Sequence, residues 1–182
     1  RNSHPADAIV DAAAQVDLGV VGLQGKDTPL GHQAMGLVRQ IVPGFPVPLL
    51  LVPSPSDPAS LPALSIDAVL PMQRILLALH LSEYAPQAVT MAMELAQACD
   101  ASLQVLQVLD PQHPEAYALQ LDAGLRHSVG GVRGWLQQHL EEPLPEELRG
   151  VPVECLVLEG QPAEMILKQA SSTGAQLIVM SA

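Results

Sequence analysis

The chain contains the same pattern twice, once near each end. The pattern is a helical stretch followed by a short apolar run, and it occupies residues 4–25 and residues 161–182. The matching pairs are Pro5 and Pro162, Ala6 and Ala163, Asp7 and Glu164, Ile9 and Ile166, Leu18 and Leu177, and Val20 and Val179. Proline suits the first turn of a helix, and the closing run is typical of a buried strand. Because a repeat constrains a fold more than any single residue does, the sequence predicts parts of two similar α/β units.

Apolar runs and helical periodicities alternate along the rest of the chain. Strands are predicted at residues 18–23, 47–52, 74–79, 103–109, 151–158 and 176–180, with helical segments between them. Continuous apolar strands separated by helices are typical of parallel strands buried on both faces and joined by right-handed crossovers. The predicted fold class is therefore α/β, a parallel twisted sheet of Rossmann-like type with helices on both faces. Ligands of such sheets bind at the carboxyl ends of the strands.

The two predicted units are incomplete. Residues 1–53 read as the C-terminal part of a first unit, residues 54–73 as a proline-rich linker, and residues 74–182 as most of a second unit that lacks its last helix and strand. The chain opens with Arg1 and closes on an apolar strand, so we expect an excerpt of a longer polypeptide. A second unit without its last strand leaves an apolar sheet edge open, which favours aggregation unless another chain covers it.

Composition excludes several classes of protein. The net charge is −11 with only eight Lys and Arg, so no basic stripe is available to neutralise phosphates, and nucleic acid is not an expected partner. The longest apolar runs are far shorter than the ~18 residues that would cross a bilayer, so this segment is not expected to insert into a membrane. Cys99 and Cys155 form neither a disulfide framework nor a metal-ligand pattern, which favours a reducing, cytoplasmic setting.

Several segments resemble the universal stress protein family, whose fold is adenine nucleotide α-hydrolase-like. The resemblance rests on the opening strand RILLAL with the Ser-Glu and helix that follow, on the turn and helix EGQPAEMIL, and on the closing strand GAQLIVM. Together these segments cover most of residues 74–182, and residues 4–53 resemble the last third of a preceding copy. The chain is therefore similar to a tandem universal stress protein.

The resemblance also implies where a nucleotide would bind. Family members that bind ATP place glycines at i, i+3 and i+13 and a hydroxyl residue at i+14, where small residues let backbone amides approach phosphate. Gly22 and Gly25 meet the first two requirements, but Met35 occupies the third position and Gly36 comes one residue late. Leu37 then stands where a hydroxyl is needed. The first copy thus departs from the ATP-binding pattern.

Two further residues are candidates for the second copy. The acidic residue that holds the nucleoside in such proteins is replaced by His80, which could face a ligand or could be a partly buried histidine bonded to the backbone. Ser82 could contact a ligand, although a helix cap explains it fully. Ser181 occupies the first glycine position of this copy. No catalytic group and no metal site is assigned from the sequence.

Three functions are compatible with these observations. The preferred hypothesis is a non-enzymatic regulatory or ligand-sensing module without a cofactor, cytoplasmic, in contact with a sister copy or a homodimer partner. In one form of this hypothesis it is the cytoplasmic tail of a membrane transporter. The first alternative is an ATP- or AMP-binding stress protein in which Gly22, Gly25 and Gly36 form the phosphate loop. The second is a purely structural dimerisation domain.

Overall fold

The computed structural model describes residues 4–23, 29–53, 72–79, 85–113, 130, 133–134 and 150–180. Contacts divide the chain into two compact units, one within residues 1–66 and the other within residues 67–181. We call them unit 1 and unit 2 and describe each by itself. That they are related copies, with the boundaries proposed above, stays a prediction.

Unit 1 consists of two helix–strand pairs. Helix α1 (Pro5–Ala13) precedes strand β1 (Gly19–Leu23), and helix α2 (Pro29–Ile41), followed by the 3-10 turn Val42–Gly44, precedes strand β2 (Leu49–Pro53). The two strands are parallel, with Gly19 opposite Leu49 and Val21 opposite Leu51. Helices α1 and α2 pack against each other. Proline lies at the first turn of α1, as predicted, and Asp7 lies in that turn, where a negative charge is favourable.

A close approach explains why β1 begins with glycine. A Cβ atom on Gly19 would lie 2.6 Å from two ring carbons of Phe45, so the aromatic ring packs directly on the strand backbone. The corresponding position of the second repeat is Ile178, which packs against the apolar cluster that contains Leu76 and Leu106.

Unit 2 is a four-stranded parallel sheet. Its elements are β3 (Arg74–Leu79), α3 (Ala85–Cys99), β4 (Ser102–Leu109), β5 (Val153–Glu159), α4 (Pro162–Thr173) and β6 (Leu177–Met180). The strand order is β5-β4-β3-β6, and every neighbouring pair is parallel. The described strands lie within two residues of their predicted bounds. Of the helical segment predicted between β4 and β5, the structure describes residues 130, 133 and 134, which are helical.

Both faces of the unit 2 sheet carry an apolar core. On one face the alanine-rich side of α3, with Ala92 and Ala96 fully buried, packs on Leu77 and Val105. The small alanine side chains let the helix lie close to the sheet. On the other face α4 packs through Ala170 on Leu76 and Leu106. This arrangement confirms the predicted α/β class with a parallel sheet and helices on both faces.

The end of α4 shows how the chain reverses into β6. Gly174 adopts a left-handed conformation (φ 68°), and the amides of Gly174 and Ala175 both bond to the carbonyl of Ala170. This glycine cap satisfies the free carbonyls at the helix end and turns the chain toward the sheet. Gln176 then ties the start of β6 to β3, since its side-chain oxygen accepts hydrogen bonds from the amides of Gln73 and Arg74.

Candidate functional site

The topology of unit 2 places its candidate site at the carboxyl edge of the sheet. From β3 the chain crosses through α3 to β4 on one side, whereas β6 lies on the other side of β3. A crevice forms at such a switch point because the connections leave neighbouring strands in opposite directions, and ligands of open α/β sheets bind there. Among the described residues, Leu79 ends β3 and Met180 ends β6 at this edge.

The structure describes two of the five predicted site residues. Gly22 is the fourth residue of β1, is exposed, and would have no atom within 4 Å of an added Cβ. Gly36 is the eighth residue of α2. Both belong to unit 1. Gly25, His80 and Ser82 lie outside the described residues, so the predicted phosphate loop and the predicted second half-site stay predictions.

The start of α2 bears on the glycine spacing. The first four amides of an α-helix are free to bind an anion, and later amides are bonded within the helix. Because α2 begins at Pro29, the free amides belong to residues 29–32, and proline itself contributes none. The amide of Gly36 lies in the helix interior. Gly36 therefore offers no backbone donor to a phosphate.

A buried glutamine was missed by the sequence reading. Gln107 lies in β4 between Leu79 of β3 and Val157 of β5, and it is only 3% exposed. Its side-chain nitrogen donates to the carbonyl of Val108 at 3.1 Å, while its side-chain oxygen has no hydrogen-bond partner among the described residues. A buried acceptor without a hydrogen bond lowers stability. The neighbours of Gln107 on the face of β4 that packs against α3 are the apolar Leu103, Val105 and Leu109. The signal in the sequence is the lone polar residue within VLQVL.

A groove of about 420 Å³ lies at the opposite, amino edge of the unit 2 sheet. It is lined by the first residues of β3, β4 and β5 and by the end of α4. Gln104 links its polar side chains, since it donates to Glu154 at 2.8 Å and accepts from the side-chain nitrogen of Gln169 at 2.7 Å. A guanidinium nitrogen of Arg74 donates to the carbonyl of Thr173 at the carboxyl end of α4. These bonds are satisfied within the unit and stabilise the docking of α4.

The described ranges hold neither a metal-ligand cluster nor a membrane-spanning helix. No three His, Cys, Asp or Glu side chains among those residues are grouped as ligands of a metal ion. None of the described helices is both long and apolar enough to cross a membrane. Cys99 and Cys155 form no disulfide, and Cys155 is buried in the core beneath α3.

The strand order and the helix layers of unit 2 define its class of fold. An open parallel sheet in the order β5-β4-β3-β6, with one helix layer on each face, is Rossmann-like and matches the adenine nucleotide α-hydrolase-like fold. The model of the universal stress protein family matches residues 71–182. The chain belongs to the universal stress protein family.

Solved structures of the same family are similar to this chain. A universal stress protein from Archaeoglobus fulgidus DSM 4304 is 17% identical, with a TM-score of 0.64, and the match covers 98% of this chain and 54% of that one. The chain thus spans about half the length of that structure. A family member from Burkholderia pseudomallei is 26% identical, with a TM-score of 0.44, over 62% of this chain and 83% of its own.

One similar structure holds a ligand. It is a universal stress protein in complex with cAMP, 17% identical, with a TM-score of 0.40, over 59% of this chain and 70% of that chain. No curated protein sequence matches this chain.

Proposed function

We propose that this chain is a non-enzymatic regulatory module that senses a ligand in the cytoplasm and does not retain ATP through its first glycine loop. The observation that carries the second part is the start of α2 at Pro29, which puts Gly36 in the helix interior. A phosphate cradle needs glycines where amides are free, at the strand end and at the helix start. Among the described glycines, Gly22 near the end of β1 and Gly31 in the first turn of α2 satisfy this condition, whereas Gly36 does not.

Charge supports the same proposal. The chain has a net charge of −11, and Asp27 lies in the sequence between Gly25 and the start of α2. A triphosphate brings about three to four further negative charges, so its binding needs compensating cations or a metal ion. Lys26 is the only Lys or Arg between Gly22 and Gly36. The local balance of charge therefore disfavours a nucleoside triphosphate at this loop.

The test is the nucleotide content and nucleotide response of the purified chain. Denaturation followed by chromatography should release no stoichiometric ATP or AMP. A thermal melt with ATP, AMP and cAMP, each at about 1 mM, should leave the melting temperature unchanged for ATP, since a ligand bound only by the native state must raise stability. Stoichiometric ATP, or a clear rise of the melting temperature with ATP, would instead establish the nucleotide-binding alternative.

A matched variant separates loop binding from binding elsewhere. Gly22→Val should leave the fold intact because nothing lies within 4 Å of the added Cβ and β1 is an extended strand. If a nucleotide were released by the parent chain and lost in Gly22→Val, the glycine loop would be its site. If the variant retained the nucleotide, the site would lie elsewhere. A melting temperature unmoved by any of the small ligands tested would favour the purely structural alternative.

A narrower form of the proposal concerns the parent polypeptide. In this form the module is the cytoplasmic tail of a membrane transporter and contacts either the membrane part or a sister copy. The small number of Lys and Arg and the 48% hydrophobic content support a module that buries much of its surface against a partner. Sequencing the parent gene tests it. Several apolar segments of about 20 residues upstream would support the tail, and a short reading frame would exclude it.

A further inference from the structure

The groove at the amino edge of the unit 2 sheet has a charged side chain on either side. Its volume of about 420 Å³ lies within the usual range of small-molecule sites. Among the described residues that line it, Arg74 of β3 is the one cation and Glu154 of β5 is the one anion. The lining also includes Leu76 and Leu103, which are at most 1% exposed. The groove therefore offers a cation, an anion and an apolar surface together.

Both charged side chains lie on the face of the sheet that α4 covers. Arg74 donates to the carbonyl of the last residue of α4. Gln104 bonds both to Gln169 of α4 and to Glu154. Helix α4 itself packs on β3 and β4, whereas residues 152–154 at the start of β5 are exposed. The groove is therefore the part of this face that α4 leaves uncovered.

Bonds within the unit orient both charged groups and leave part of each available. One terminal guanidinium nitrogen of Arg74 is bonded at the end of α4, and its other side-chain donors have no partner among the described residues. The Oε2 atom of Glu154 accepts from Gln104 at 2.8 Å, and its Oε1 atom has no partner in the same part of the chain. Arg74 and Glu154 do not form an ion pair with each other. Because both groups are already oriented, a ligand that binds them restricts little further side-chain motion.

The register of the strands sets the distance between the two charges. Arg74 lies opposite Ser102, and Gln104 lies opposite Glu154. Glu154 is therefore two strands across and two residues along from Arg74, which places their Cα atoms about 12 Å apart. An extended peptide advances about 3.3–3.6 Å per residue, so the charged ends of a tripeptide span about 10 Å. The two long side chains close the remaining gap.

The signs of the charges select the class of ligand. A purely anionic ligand is repelled by Glu154 and by the net charge of −11, and a purely cationic ligand is repelled by Arg74. A zwitterion instead pairs its carboxylate with Arg74 and its ammonium group with Glu154. The guanidinium group suits a carboxylate in particular, because its parallel N–H donors match the two carboxylate oxygens.

We propose that the amino-edge groove of unit 2 binds short peptides of two or three residues with free ends. The carboxylate of the peptide binds Arg74, its ammonium group binds Glu154, and small apolar side chains lie over the apolar lining between them. This groove lies at the opposite edge of the sheet from the switch-point crevice. The nucleotide test described above and the test of this proposal are therefore independent, and either can fail without the other.

The experiment is a titration of the nitrogen-15-labelled 182-residue chain with trialanine, followed by NMR. We expect a dissociation constant of about 1 mM or lower, with shifts at the amides of Ser102, Glu154 and Ala175. N-acetyl-trialanine lacks the ammonium group and trialanine amide lacks the carboxylate, so each should bind at least about threefold more weakly. Free alanine carries both charges on one carbon and cannot reach both side chains, so it should bind at least about tenfold more weakly.

Two variants assign the two ends of the peptide. Glu154→Gln keeps an acceptor for Gln104 and should abolish the difference between trialanine and its acetylated form, and Arg74→Gln should abolish the difference between trialanine and its amide. The matched control is Glu159→Gln, at an exposed carboxylate at the other end of β5, and it should change the constant by less than about twofold.

The comparison of the three peptides on the parent chain needs no variant, so it holds even if Arg74→Gln loosens α4. The proposal is overturned by any of three results. They are no saturable shift up to about 20 mM trialanine, binding of the blocked peptides or of alanine as tight as that of trialanine, and a loss in Glu159→Gln equal to the loss in Glu154→Gln.

Discussion

Replacing the buried Gln107 by leucine should make the protein more stable. Within the described part of the chain the side-chain oxygen of Gln107 has no hydrogen-bond partner, and a buried acceptor without a partner costs about 1–3 kcal/mol. Leucine removes that cost and fits a similar volume. The substitution loses one hydrogen bond, the 3.1 Å contact to the carbonyl of Val108, which contributes about 1 kcal/mol. The balance is a gain of about 1 kcal/mol in the free energy of unfolding.

The same strand provides the control. Gln104 is half-buried, and both ends of its amide are bonded, to Glu154 and to Gln169. Gln104→Leu should therefore destabilise the protein by about 1–2 kcal/mol, the opposite sign from Gln107→Leu. Urea denaturation followed by circular dichroism measures both variants through the midpoint, provided that the slope is unchanged. If Gln107→Leu destabilised the protein as much as Gln104→Leu, Gln107 would have a partner in solution and the reasoning would be refuted.

Four other substitutions test the core packing, one helix cap and one helix interior by the same urea titration. Leu77→Ala, at a fully buried residue in the middle of β3, should lower the free energy of unfolding by about 2–5 kcal/mol. Leu167→Ala, on the exposed side of α4, should change it by less than about 0.5 kcal/mol. Similar losses in the two variants would contradict the assigned core. Gly174→Ala should lower the free energy of unfolding by about 1 kcal/mol, because the φ of this residue is 68°. Gly36→Ala should raise it by about 0.5–1 kcal/mol, because alanine is the better helix former and the added Cβ meets open space. A loss of stability in Gly36→Ala would argue against the helical assignment.

Much of the fold could be predicted because its signals are local. Strand β3 has the predicted bounds, Arg74–Leu79, and α4 begins at the predicted Pro162. A continuous apolar run and a proline followed by helical periodicity need no tertiary information to be recognised. The family resemblance drawn from the same segments is confirmed by the family model over residues 71–182.

The candidate site was less accessible to sequence reasoning. The glycine spacing identified Gly36 as one residue out of place, but the start of α2 decides that its amide lies within a helix. The start signals Thr28 and Pro29 precede the apolar periodicity at Met35–Ile41 by several residues, so the apolar pattern alone did not fix where this helix begins. Gln107 was passed over because a single polar residue in a strand gives no indication of whether its amide finds a partner.

By itself the sequence determined the order of helices and strands, the repeat and the parallel α/β class, because periodicity and turn residues act over a few neighbouring positions. Only the tertiary structure decided which strand each repeated strand pairs with. Val20 and Val179 are the same residue in the same pattern, yet Val20 lies opposite Leu50 of the following strand β2 and Val179 lies opposite Leu77 of the much earlier strand β3. The physical reason is that strand pairing depends on hydrogen bonds between residues far apart in the sequence, which a local pattern does not specify.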